Sequence, residues 1–219
     1  MNNHIAIDGP AGAGKSTIAK AVAKKKGLIY VDTGAMYRAF GLFLLREGID
    51  VANEEAVIAA CEKADVSISY ENNEQVVLLN GENVNGLIRT EEVSHMASAC
   101  SAIARVREIM VERQQELAKK RDVVMDGRDI CTVVLPDART KIFLTASAKV
   151  RAKRRYDELV EKGVSCDLKQ IEADIIERDN RDMNRAASPL RQDKDAVLVD
   201  TSDMTIEQVI DRIMELSNG

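Results

Sequence analysis

The segment Gly9, Pro10, Ala11, Gly12, Ala13, Gly14, Lys15, Ser16, Thr17 fits the pattern G-x-x-x-x-G-K-[ST], with Gly9, Gly14, Lys15 and Ser16 at its fixed positions. Glycines at three of these places let the backbone curl until its N–H groups point inward at phosphate oxygens. A helix opening near Ser16 adds the positive end of its dipole. Lys15 can reach the β- and γ-phosphates of a nucleoside triphosphate and is expected to face solvent there. The Ser16 hydroxyl suits Mg²⁺, which keeps waters and phosphate oxygens in its shell. A glycine-rich turn that binds nothing is the alternative. The apolar run before the motif and the helical pattern after it favour the triphosphate reading.

Arginines supply the second pattern. Arg178, Arg181, Asp182 and Arg185 are spaced i, i+3, i+4, i+7 and are expected on one helical face. Arg151, Arg154 and Arg155 repeat the i, i+3, i+4 spacing. Like charges so placed repel. Either acids such as Asp157, Glu158, Asp174, Glu177 and Asp179 offset them on a solvated surface, or an anion does. Phosphoryl transfer depends on positioning and on neutralising charge, and arginine supplies fixed forked donors for both. Beside a phosphate loop, an arginine-bearing helical pair reads as a lid that closes and excludes water.

Elements that position these residues can be read from the apolar pattern. Short apolar runs at His4–Asp8, Leu28–Val31, Val123–Met125, Lys141–Leu144 and Ala196–Val199 are expected strands, buried on both faces. Between them lie helical patterns at Ser16–Lys26, Ala35–Glu47, Glu92–Arg121, Lys149–Lys162, Leu168–Asn184 and Ile206–Leu216. The alternation predicts a three-layer α/β/α fold around a five-stranded parallel sheet. Val66–Asn85 breaks the rhythm, with turn signals ENNE and NGEN between β-prone runs, and predicts a small inserted antiparallel sheet. Ligands of such sheets bind beyond the carboxyl ends of the strands. That places D32TGAMYR38 and D126GRD129 beside the phosphate loop, where Arg128 and Asp129 offer donors and acceptors to a nucleobase edge.

The 219 residues allow one cored domain with an insertion. A 45% hydrophobic and 31% charged composition is that of a globular protein. Net charge is −5, and there is no Trp for base stacking, which argues against a nucleic-acid module. Cys61, Cys100, Cys131 and Cys166 lack C-x-x-C spacing, so a zinc site is not expected and a reduced cytoplasmic protein is. No apolar run is long enough for a membrane span, and the N-terminus lacks a signal-peptide pattern. No apolar seam is left over once the core is assigned, and a monomer is expected. A GTPase switch would need a guanine-reading N-K-x-D segment, which the sequence lacks.

With those residues stated, the chain resembles the bacterial cytidylate kinases, in the nucleoside monophosphate kinase group, over essentially its whole length. IDGPAGAGKST, VDTGAMYR, GLIRTEEV, ARVRE, MDGRDICTVVLPDA, KIFLTAS, ERDNRDMNRAASPL and VLVDTSDMT carry the resemblance, in order. It implies one P-loop domain with a monophosphate-binding insertion over about 33–107 and a lid over about 148–189. The substrates implied are ATP and CMP or dCMP, with Mg²⁺. Gly9 to Thr17 would cradle ATP, with Ser16 toward the metal. Thr33, where relatives often carry serine, would lie near the cytosine. Arg38 and Arg128 would hold the acceptor phosphate. Ser98, Arg107 and Asp129 would contact the base, and Asp182 and Arg185 the sugar. Arg155, Arg178 and Arg181 would join Lys15 in catalysis from the lid side. V199DTSDMT205 would lie near the adenine. A104RVR lacks a proline often found before its first arginine in relatives, with no chemical consequence evident. A uridylate/cytidylate or shikimate-type kinase, and a nucleotide-switch ATPase, are the competing readings.

Overall fold

The computed structural model describes residues 3–71 and 74–218. Strand β1 (Ile5–Asp8) is buried throughout. It hands the chain through the glycine-rich loop to α1 (Lys15–Lys26), which ends on Gly27 in the left-handed conformation. Then come β2 (Ile29–Asp32), α2 (Thr33–Arg46) and α3 (Glu54–Lys63). A small sheet follows, made of β3 (Val66–Glu71), β4 (Glu74–Leu79) and β5 (Glu82–Asn83). After it lie α4 (Glu91–Cys100), α5 (Ala104–Lys120), β6 (Val123–Gly127) and a short π-helical turn at Ile130–Val134. The chain finishes with β7 (Thr140–Thr145), α6 (Ala148–Glu161), α7 (Leu168–Asn184), β8 (Val197–Asp200) and α8 (Ile206–Leu216).

The main sheet has five strands in the order β2-β6-β1-β7-β8. β1 pairs parallel with β6 (Ile5 opposite Val124) and with β7 (Ile5 opposite Thr140), and β7 with β8 (Ile142 opposite Val197). β1 and β6 are apolar runs buried on both faces, as parallel pairing under helical layers demands. β8 departs from that expectation. It ends the strand order, with Val197 39% and Leu198 53% exposed. Parallel pairing sends the carboxyl ends of β1, β6 and β7 the same way. β1 is where the order reverses, since β2 lies beyond β6 on one side and β7 follows on the other. That reversal is where open α/β sheets bind ligands.

The chain divides into two compact units, residues 1–28 with 122–219, and residues 29–121. In the second unit the inserted sheet pairs antiparallel, Val66 opposite Leu79 and Leu78 opposite Asn83. The NG signal behaves as its chemistry requires. Asn80 and Gly81 both adopt positive φ (49° and 82°) in the two-residue connection. The ENNE signal includes Asn72 and Asn73, outside the described residues. This unit's core is built by Met36, Phe40 and Leu44 of α2, Val57 and Cys61 of α3, Val66 and Val77 of the small sheet, and Val106 and Met110 of α5.

Two helices differ from expectation. The pattern over Glu92–Arg121 is not one helix. It breaks at Ser101–Ile103 between α4 and α5, with Ser101 as the α4 C-cap and Ile103 preceding α5. And α3, capped by the Asn53 side chain on the Ala56 N–H, fills a stretch assigned no element from sequence.

Candidate active site

In the first unit, the phosphate loop is set by one close approach and one helix start. Gly9 has φ 150°, and a Cβ there would sit 1.9 Å from the Leu144 carbonyl oxygen, so only glycine lets the loop leave β1 beside β7. Gly14, at φ 86°, is the N-cap of α1 and has no side chain to cap it. The first-turn N–H groups are therefore left for an anion rather than for a capping oxygen.

Lys15 is not solvent-facing, as its motif suggests, but 6% exposed. Its Nζ folds back to donate to the Pro10 carbonyl at 2.8 Å. Burial, then the nearby Arg128 charge, pushes its pKa down to about 7 against the opposing pull of Asp126, Asp8 and Asp182. Ser16 Oγ lies 3.1 Å from Asp126 Oδ2 at the end of β6. A hydroxyl and a carboxylate so paired are the hard oxygen donors that Mg²⁺ takes, so these residues fit that ion. Among the described residues no cluster of three His, Cys, Asp or Glu side chains is placed to hold a metal by itself. The four cysteines are unpaired.

Beyond β6, the D126GRD129 segment is held from below. Buried Asp8 accepts the N–H groups of Ile130 and Cys131, each at 2.8 Å, and thereby anchors the π-helical turn that follows Asp129. Burial outweighs those bonds and pushes the Asp8 carboxyl up to about 6. Asp129 is itself buried, and its carbonyl accepts the N–H groups of Val133 and Val134. Arg128 Nε donates to Asp182 Oδ2 at 2.8 Å. Burial raises the Asp182 carboxyl, but Arg128, with Arg185 and Arg178, outweighs it and holds the group below its ordinary value.

Arg185 is not on the α7 face with Arg178, Arg181 and Asp182. It is the C-cap, in extended conformation, and its guanidinium turns onto the Ser188 carbonyl at 2.7 and 2.9 Å while reaching Asp182 Oδ1 at 3.4 Å. Arg178 is half-buried. Arg181 is exposed and pairs with Glu177 at 3.3 Å. Arg155 pairs with Glu158 at 2.9 Å, both about half exposed. Its helix-mates go elsewhere. Arg154 donates to the carbonyl and hydroxyl of Thr201, pinning the V199DTSDMT205 segment. Arg151 is buried against the phosphate loop, with Nη1 2.9 Å from the Ala11 carbonyl.

In the second unit, Asp32 ends β2 and caps α2 by accepting the Ala35 N–H at 2.9 Å. Its other oxygen takes Arg38 Nη2 at 3.0 Å and lies 3.7 Å from Arg89. The inserted sheet braces this turn: Gln75 Oε1 accepts the Asp32 N–H at 2.8 Å, and Tyr70 Oη donates to the Tyr30 carbonyl at 2.9 Å. Thr33 is buried and Ser98 half-buried. Arg107 is 3% exposed, its Nη1 reaching back to the Ser101 carbonyl at 3.1 Å and its guanidinium 5.5 Å over the Tyr37 ring. The helix break missed from sequence is what puts that carbonyl within reach.

Within the first unit the structure thus gathers Lys15, Ser16, Arg128 and Asp182 around acids at β-strand ends. Within the second it joins Arg38 to Asp32. Sequence reasoning did not single out Asp8, Asp32, Asp126 or Arg89 as site residues. All four stood inside quoted segments, and Asp8, Asp32 and Asp126 shared one usable signal, a charge at the end of an apolar strand.

The family model for cytidylate kinase matches residues 5–219. The chain is 51% identical to the cytidylate kinase of Caldicellulosiruptor saccharolyticus over 213 residues, 97% of this chain and 94% of that one. It is 49% identical to that of Lactobacillus gasseri (97% and 92%) and 47% to that of Bacillus cereus (98% and 96%). The chain belongs to the cytidylate kinase family. Among solved structures, an uncharacterised protein from Eubacterium ventriosum superposes with TM-score 0.55 at 13% identity, covering 98% of each chain. A gluconokinase from Sinorhizobium meliloti gives 0.50 at 13% identity, covering 98% and 91%. Likeness at that identity is of fold alone, and it is the family members that carry the chemistry. No helix among the described residues is long and apolar enough to cross a membrane.

Proposed function

We propose that the chain transfers the γ-phosphoryl group of ATP to CMP or dCMP, giving ADP and CDP or dCDP, within pyrimidine nucleotide metabolism. The observation that carries this is the loop of Gly9 to Thr17 between β1 and α1, with Lys15 and the Ser16–Asp126 pair, in a chain that matches cytidylate kinases over nearly its full length. Ser16, with Asp126 behind it, would hold Mg²⁺, which would supply positive charge to the triphosphate. Lys15 leaves the Pro10 carbonyl and moves its charge onto the β- and γ-phosphates. The α1 N-terminus and the loop N–H groups hold the same phosphates. Arg155, Arg178 and Arg181, from a lid over about 148–189, take up negative charge that develops on the transferring group.

On the acceptor side, from an insertion over about 33–107, Arg38 leaves Asp32 for the acceptor phosphate, and Arg128 shares it. Thr33, Ser98, Arg107 and Asp129 read the cytosine, and Asp182 with Arg185 hold the sugar. The acceptor's phosphate oxygen is already ionised near neutral pH, so attack needs orientation and no general base. The enzyme acts as a cytoplasmic monomer on free nucleotides. ADP release followed with Mg·ATP and CMP, dCMP, UMP, AMP, GMP or shikimate tests the reading. Turnover confined to CMP and dCMP supports it. Turnover of another acceptor removes the cytidine assignment, and ATP loss indifferent to every acceptor removes the kinase.

A further inference from the structure

Arg151 occupies an unusual place for a cation on a helix rich in surface charge. Its side chain is 5% exposed, and every donor nitrogen has a claimed partner: Nε the Ala146 carbonyl at 2.8 Å, Nη1 the Ala11 carbonyl at 2.9 Å, Nη2 Asp179 Oδ2 at 2.6 Å. Asp179, on α7, is 7% exposed, and its second oxygen is buried without a hydrogen-bond partner. A carboxylate kept buried with one oxygen unsatisfied is costly, and its one close bond here is to Arg151. Gly12 packs against the same arginine. A Cβ there would lie 3.3 Å from Arg151 Cβ, and Gly12 holds φ 75°.

The Ala11 carbonyl is the informative contact. Across a planar trans peptide the carbonyl and the following N–H point opposite ways. Fixing Ala11 O on Arg151 therefore turns the Gly12 N–H to the other side of the loop. The preceding carbonyl, of Pro10, is held by Lys15 instead. Two side chains thus hold two successive carbonyls of the phosphate loop, Lys15 from inside the motif and Arg151 from α6.

We propose that Arg151, held by Asp179, is a positioning residue that orients the Ala11–Gly12 peptide for triphosphate binding, and that α7 governs the loop through this pair. The inference rests on the reading of Gly9 to Thr17 as the ATP site. Arg151 acts through the loop and not on the nucleotide base. Asp182, three residues after Asp179 on the same helix, carries Arg128, so one helix face holds both the strut to the loop and the guanidinium beyond β6.

Two ligands separate the possibilities: ATP and inorganic tripolyphosphate, which has the phosphates and no base. Their dissociation constants, with Michaelis constants for ATP and CMP, are to be measured for the wild type, Arg151→Lys, Arg151→Met and Asp179→Asn. Asp179→Asn keeps the shape and one acceptor oxygen, so it guards against a misfolded Arg151→Met. Expected is weakening of ATP and tripolyphosphate by the same factor, about tenfold or more in Arg151→Met and less in Arg151→Lys and Asp179→Asn, with the Michaelis constant for CMP unmoved. Loss for ATP with tripolyphosphate unaffected would make Arg151 a base contact and overturn the proposal, as would equal loss for ATP and CMP or no change in folded variants. A wild type that binds neither ligand would instead remove the ATP-site reading, and this inference with it.

Discussion

Lys15 shows at the residue scale how burial and function meet. In this structure it is stripped of water and leans on a backbone carbonyl, and its pKa stands near 7 rather than 10.5. A folded pKa below the unfolded one means the unfolded chain binds more protons between those values, so this group's contribution to stability rises with pH across that window. Phosphate anions reverse the balance by favouring the charged amine. ATP binding at pH 8 should therefore take up a proton, approaching one per site, and affinity should fall as pH rises above about 7. Calorimetric titration in two buffers of different ionisation enthalpy reads this directly. The uptake should vanish in Lys15→Met, and a wild type with no uptake would mean that Lys15 is already charged. Lys15→Ala should lose most turnover while keeping its circular dichroism and melting profile. Retained turnover would remove the central role given to this residue.

Asp129 belongs to the same scale. Its backbone is fixed by the π-helical turn that Asp8 anchors, so Asp129→Ala changes the side chain without releasing the loop. The Michaelis constant for CMP should rise tenfold or more while ATP affinity stays within about twofold, as expected when one partner of a charged hydrogen bond is removed. Equal loss for both substrates would make the residue structural.

At the scale of elements, the packing of α2 on α4 sets how firmly the second unit is built. Gly41 lets the helices touch backbone to backbone: a Cβ there would meet the Ala97 nitrogen at 3.0 Å and the Val93 carbonyl oxygen at 3.2 Å. Gly41→Val must push the helices apart and should destabilise by about 1–3 kcal/mol, the usual cost of overpacking a tight contact. Urea unfolding would show it as a lower midpoint, and an unchanged midpoint would mean that α4 shifts at no cost. The same element bears on the helix that the sequence pattern ran together with α5. The pattern over Glu92–Arg121 continues in helical period across Ser101–Ile103 with no proline or glycine to mark a stop. Propensity alone therefore cannot end it there. The break has a use in the fold, since it brings the Ser101 carbonyl to Arg107.

For the whole molecule, the proposed lid should show as a ligand-dependent change over α6 and α7. These helices and the connection between them carry exposed apolar side chains, among them Val160, Val164, Ile176 and Met183, and the helices' surface charges include local pairs such as Lys153–Asp157 and Arg155–Glu158. Pairs of that kind are worth little individually. Amide hydrogen exchange over Lys149–Asn184 should slow when ATP and CMP are both bound. Unchanged exchange would count against closure.

The phosphate loop, the alternation of strands and helices, the NG hairpin and the order of family motifs were all legible in the chain. Each depends on local backbone chemistry: glycine where φ must be positive or the backbone must come close, β-branched runs where both strand faces are buried, asparagine–glycine where a two-residue turn is needed. Partner choice was legible where it is local, since the acids named beside the arginines include Glu158 and Glu177, which Arg155 and Arg181 do take; where it is decided across tens to over a hundred residues it was not. Spacing put Arg151, Arg154 and Arg155 on one helical face. Only the tertiary structure sent Arg151 into the core with Asp179 and Arg154 to Thr201, leaving Arg155 with its neighbour Glu158 in the solvent. Spacing also gave Lys15 a length to reach phosphate. The surroundings decided that it rests buried, with its pKa pulled down to about 7 by desolvation and by Arg128 against the pull of three carboxylates. Local sequence chose the elements and the reactive groups, and long-range packing, through desolvation and charge, chose what each group does at rest.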